Sequence, residues 1–161
     1  MSPADRLDTP AGGDEIASKS RLRAWLQVLK LSRSVETALR ERMRVEFGST
    51  LPRFDVLAAL ERSQTGLRMS ELSRALMVSN GNVTGIVDRL ADDELIVRVP
   101  VEGDRRAWIV QLTDKGRRHF NRMARVHEQW IDELLGGLAA GDAKTLDRIV
   151  SAARRGGEER V

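Results

Sequence analysis

The stretch EGDRRAW, residues 102–108, lies between two runs of alternating apolar residues, LIVRVPV and AWIVQLT. Alternation on both sides of a glycine-containing break predicts a β-hairpin with Arg105 and Arg106 at its tip. An arginine head is permanently charged, planar and weakly hydrated, so two of them on a projecting turn can enter the negative potential of a narrow nucleic-acid groove. The alternative is an ordinary solvated turn. Asp104 would repel phosphate; its reading is a charge-assisted bond to an arginine that fixes the shape of the turn. Upstream, Ser79, Asn80, Asn82 and Thr84 crowd the start of a helical stretch. These small side chains donate and accept hydrogen bonds, as base edges require, and a helix N-terminus favours phosphate. Gly81 and Gly85 would allow close approach of a backbone, at a cost in helix propensity. Ser70 and Arg74 are candidates for phosphate contacts, which position without specifying, and Arg89 is a further DNA-binding candidate. Against all this stands a plain polar helix face.

The elements that must hold these residues follow from periodicity. From Lys19 to Phe47 there is no Pro or Gly, and Trp25, Val28, Leu31, Val35 and Leu39 recur at helical spacing. One long helix is expected there, after a flexible arm over residues 1–17. Gly48 ends it, and Thr50 with Pro52 opens a second helix lined by Phe54, Leu57 and Leu60. MSELSRALM predicts a short helix capped by Ser70, with Met69, Leu72 and Leu76 inward. SNGNVTGIVDRLADDEL predicts another, with Val83, Ile86, Val87 and Leu90 on its buried face. Strands are expected at 96–101 and 107–113, with Trp108, Val110 and Leu112 on one face. Thr113 then caps a helix to about Leu138, and a last helix carries Leu146, Ile149 and Val150 before a frayed tail at 156–161.

Two short helices in tight succession followed by a hairpin make a winged helix-turn-helix, here spanning residues 50–116. The flanking segments, 18–48 and 117–155, carry more apolar surface than so small a lobe can cover. Burial against a second copy is the natural solution, so they form a helical dimerisation region. The expected fold is mainly α with a small β-hairpin wing.

Composition narrows the classes. Apolar residues make up 41% of the chain and charged residues 32%, which fits a soluble globular protein. No run approaches the ~18 apolar residues of a membrane span, and no signal peptide is visible. With no cysteine, thiol catalysis, disulfides and Cys-based zinc sites are excluded, and a cytoplasmic location is expected. Neither histidine belongs to a triad, and no Gly-rich phosphate loop is present, so no enzyme, cofactor or metal is expected. The net charge is +3, and its placement matters more than its size. Residues 67–116 hold seven basic against eight acidic residues, whereas 19–44 hold eight against two. Lys19, Arg23, Lys30, Arg33, Arg40 and Arg44 fall within an arc of roughly 100° on the first helix, at about 100° per residue.

The stretch MSELSRALMVSNGNVTGIVDRLADDELIVRVPVEGDRRAWIVQLTDKG, residues 69–116, resembles the MarR family of bacterial transcriptional regulators. It carries that family's capped helix, its VS-x-x-x-V-T recognition helix, DRL, the DRR wing tip and the closing LT-x-x-G. The resemblance implies a homodimeric, ligand-responsive DNA-binding regulator, a repressor released from a palindromic double-stranded operator. It also implies that a wing arginine enters the minor groove. Two positions depart from the family: Glu94 where Gly is usual, so the recognition helix is expected to end differently, and Asn82 where Thr or Ser is common.

Effectors of the family are often small aromatic acids, and the wording of this chain looks like regulators of aromatic-acid catabolism, some responsive to coenzyme A thioesters. Trp25, Arg33, Arg40 and His127 are the corresponding effector candidates. Three readings of the basic stripe stay open: anionic effector, flanking DNA backbone, or solvent. The rival reading of the whole chain is a winged-helix protein-interaction module without a specific DNA site.

Overall fold

The computed structural model describes residues 11–76, 80–101 and 103–158. Six helices and three strands follow in the order α1 (Ala11–Phe47), α2 (Leu51–Arg62), β1 (Leu67–Arg68), α3 (Met69–Leu76), α4 (Asn80–Asp92), β2 (Ile96–Val101), β3 (Asp104–Leu112), α5 (Asp114–Leu134) and α6 (Ala140–Glu158). The chain divides into two units, one ending at Ala38 within α1, the other running from Leu39 onward.

In the second unit α2 is the central element. Phe54 and the run Val56–Leu60 are all buried, so the helix is apolar nearly all round, as a helix enclosed by others must be. Its start is local chemistry: the Thr50 hydroxyl accepts from the Arg53 amide, and Pro52 sits in the first turn, where its missing N–H is no loss. Helices α3, α4 and α5 and strand β3 pack against it, and Leu72 of α3, Val83, Val87 and Leu90 of α4, Val110 of β3 and Met123 of α5 are all fully buried. Each such side chain contributes about 1.5–3 kcal/mol by leaving water. Met43, near the end of α1, is also fully buried, and Phe47 tilts against Trp130 at 6.0 Å.

Several boundaries differ from those expected. Helix α1 begins at Ala11, within the segment assigned to a flexible arm, because Gly12 and Gly13 lower helix propensity without breaking the hydrogen-bond ladder. Residues 1–10 lie outside the described residues. Helix α5 ends at Leu134 rather than Leu138, and α6 continues to Glu158, past the point where fraying was expected. The sheet has three antiparallel strands in the order β1-β3-β2, not two, because Leu67 and Arg68 pair with Val110 and Ile109. Ser70 is not a cap: α3 starts at Met69, and the Glu71 carboxylate reaches back to accept from the Arg68 amide at 2.7 Å.

Glu94 stands at the corner after α4 with φ of 59°. The amides of Glu94 and Leu95 donate to Ala91 and Leu90 carbonyls, each at 2.9 Å, the paired bonds by which a glycine normally closes a helix. The helix therefore ends as the family's glycine would end it, contrary to expectation. Thr113 stitches the corner down, its hydroxyl donating to the Glu94 carbonyl at 2.7 Å and its amide to Leu95 at 3.1 Å. Lys115 pairs with the Glu94 carboxylate at 2.9 Å, which holds that carboxyl below its usual pKa. Gly116 completes the corner, since a Cβ there would lie 1.8 Å from the Leu95 oxygen. The LT-x-x-G stretch is thus a cap followed by a close approach.

Candidate nucleic-acid interface

The recognition helix is held by one face. Val83, Val87 and Leu90 recur at helical spacing and are fully buried, which turns Gly81, Asn82, Thr84, Gly85, Asp88 and Arg89 outward. All six are exposed. A Cβ at Gly81 or Gly85 would meet nothing within 4 Å. Among the described residues nothing therefore requires glycine at either position, although at Gly85, in the helix interior, it costs about 1 kcal/mol relative to alanine. Ser70 and Arg74 are exposed on α3. Ser79 lies outside the described residues, and for Asn80 the description extends to the backbone, at the first position of α4.

The wing differs from its expected form in two respects. Val101 pairs with Asp104 after a shift of register between Pro100 and Val101, and Gly103, at φ 83°, takes a left-handed conformation between the strands. Asp104, Arg105 and Arg106 accordingly belong to β3 rather than to a loop, and only their backbone is described. Trp108, opposite Pro100 in β2, is 46% exposed and not packed inward with Val110.

Between the recognition helix and the wing the structure places a feature that the sequence did not announce. Arg98 of β2 forms an ion pair and hydrogen bond with Asp88 of α4. The pair borders a groove of about 460 Å³ whose other walls are Met69, Thr84 and Trp108. Ten residues separate the two charges, across a helix end and a corner, so no local spacing rule reveals them.

The effector candidates are distributed along the chain. Trp25 is 57% exposed on α1, and Arg33 and Arg40 are exposed on the same helix. His127 of α5 is half-buried and stacks on Phe54 at 4.6 Å, while Phe54 stacks on Phe120 at 5.6 Å. Burial holds the His127 pKa below its ordinary value. His119 is lowered too, first by burial and then by the Arg122 and Arg53 guanidiniums, and its Nδ1 lies 3.2 Å from Arg122. Among the described residues no group of three His, Asp or Glu could hold a metal ion, and no helix is long and apolar enough to cross a membrane.

A helix-turn-helix braced by a three-stranded wing defines a DNA-binding fold, and the comparisons with known proteins specify which. The MarR family profile matches residues 47–107. A MarR family transcriptional regulator from Silicibacter pomeroyi has a crystal structure that superposes with a TM-score of 0.68 at 34% identity, covering 89% of this chain and 96% of that one. The chain belongs to the MarR family of transcriptional regulators. It is 40% identical over 76 residues to the HTH-type transcriptional regulator PecS of Dickeya dadantii, covering 46% of each chain. It is 35% identical over 98 residues to the transcriptional activatory protein BadR of Rhodopseudomonas palustris, covering 59% of this chain and 56% of that one. The chain thus spans about half the length of these two curated relatives.

Proposed function

We propose that the protein is a homodimeric, ligand-responsive repressor that binds a palindromic DNA operator. The observation that carries the reading is the exposed N-terminal half of α4. Asn82 and Thr84 offer donors and acceptors there, beside two glycines that no internal packing requires. A helix surface kept bare at its own expense fits a partner that comes close, and the major groove admits a helix of this kind. The wing would lie along the backbone, with Arg105 or Arg106 in the adjacent minor groove. Asp104 would hold one of them in shape.

The effector in this reading is a small aromatic acid or its coenzyme A thioester, with Trp25, Arg33, Arg40 and His127 as contacts. It would release the operator by binding one spacing of the two DNA-reading heads better than the other, and only by that difference. The name of BadR, an activatory protein, favours a second direction of regulation, in which the same complex recruits rather than blocks polymerase.

Enrichment of duplexes from a randomised pool tests the reading. The expected result is a palindromic consensus bound at least ~10³-fold tighter than random DNA. Arg106→Ala is expected to cost about 1–3 kcal/mol on that duplex. Aromatic acids and their thioesters are then titrated against the complex, and release by one class identifies the effector. No consensus would leave the protein-interaction module as the better account. In vitro transcription from a promoter overlapping the consensus decides between repression and activation.

A further inference from the structure

We infer that the Asp88–Arg98 ion pair is a clasp that sets the wing's position on the recognition helix, and so sets how strongly the flanks of the operator are read. Asp88 stands on the outward side of α4, two turns from its start, and Arg98 in the middle of β2. Their contact joins the element that would enter the major groove to the element that would lie over the neighbouring backbone. Behind the contact lies the open groove walled by Met69, Thr84 and Trp108, with Trp108 half exposed. Little apolar packing therefore fixes the outer wing against α4 on this side, and the ion pair spans the gap. Among the described residues β2 is an edge strand bonded to β3 alone, with no second strand to fix it from outside.

The energetic argument separates position from stability. Both side chains are partly exposed, 38% and 51%, and an ion pair of that kind contributes little to folding. Its removal should leave the fold intact while freeing the wing to sample other angles. Electrostatics alone makes the opposite prediction for Asp88: deleting a negative charge beside a polyanion site should tighten DNA binding. The clasp predicts that it weakens. Arg98, committed to Asp88, is a positioning residue and not itself a groove reader.

This inference rests on the DNA-binding reading above. It is tested with Asp88→Asn, Arg98→Gln and the double variant on the duplex that the wild-type protein enriches, beside duplexes altered at the core or at the A·T content of the flanks. Asp88→Asn is expected to lower affinity about tenfold. It should also erase most of the flank preference, while penalties for core changes and the thermal midpoint stay as in wild type. The double variant should lose no more than either single one, as two ends of one contact do. Affinity that rises or holds in Asp88→Asn overturns the clasp, and so does a uniform loss at core and flank with a lowered midpoint. If the wild-type protein enriches no duplex, the DNA-binding reading fails on its own evidence and the clasp falls with it.

Discussion

Gly85 shows how a single residue can oppose the fold that contains it. It sits mid-helix in α4, exposed, with open space where its Cβ would be. Gly85→Ala is expected to stabilise the protein by up to about 1 kcal/mol, because alanine restricts the unfolded chain and favours the helix. The same methyl group would stand where DNA approaches, so affinity for the enriched duplex should fall by about tenfold or more. Urea unfolding and a binding titration on the same sample check both signs, and equal affinity would return Gly85 to the status of a tolerated surface residue. Glu94 is the converse case. It occupies a left-handed position at a steric cost of roughly 1–2 kcal/mol, and is held there by backbone bonds and by Thr113 and Lys115. The sequence marked the departure from glycine correctly but misjudged its consequence. The corner's geometry is imposed by Gly116 and Thr113, about twenty residues away, and a local reading of the helix end does not include them.

At the scale of elements, α5 is where titration and packing meet. His127 lies on the buried side of the helix, its ring against Phe54, and burial disfavours its charged form. Its folded pKa is therefore below the ~6.5 of the unfolded chain. Above that pH both states are neutral at this site and it contributes nothing. As pH falls through about 6.5 the unfolded state takes up a proton that the folded state refuses, so stability declines until the folded group also titrates. Thermal midpoints should thus be lower at pH 5.5 than at pH 7.5. His127→Phe, which keeps a ring on Phe54, should flatten that decline, with a residual slope of the same sign from His119. Identical slopes in the two proteins would mean that another group carries the effect. Elements with local signals were readable in advance: Thr50 and Thr113 cap the helices expected of them, and the stripe Val83, Val87, Leu90 faces the core. Elements defined by distant partners were not. β1 is two residues long and exists only because β3 pairs with it, and Arg105 and Arg106 lie in β3 beside a shift of its register with β2 that no alternation in the sequence announces. The cap of α3 was misplaced because Ser70 is a good cap by type, whereas Glu71 at the third helical position makes the bond.

At the scale of the whole molecule the question is what covers the apolar surface that remains. Leu22, Trp25, Leu26, Val28 and Leu31 are each more than 40% exposed along α1, and Ile149 and Val150 stand exposed on α6. Five large apolar side chains within ten residues exceed the scattered exposure that a monomer tolerates without consequence. A second copy, related by a two-fold axis, would bury them and would also place two recognition helices on one duplex. The basic arc of α1 fits this assignment. Lys19, Arg23 and Lys30 occupy the part of the helix left over, where they would stay hydrated or meet an anionic ligand, and Arg33 falls between Leu22 and Leu26 at the edge of the apolar surface. Replacing Leu22 and Leu26 together by Glu should therefore leave the lobe from Leu39 onward folded, with its helical circular dichroism retained. The sedimenting species should become a monomer. Operator affinity should fall by about 10² or more, because each half-site then binds without the high effective concentration of its twin. If the double variant still sediments as a dimer, the α1 surface is not the interface, and the exposed side of α6 becomes the segment to charge next.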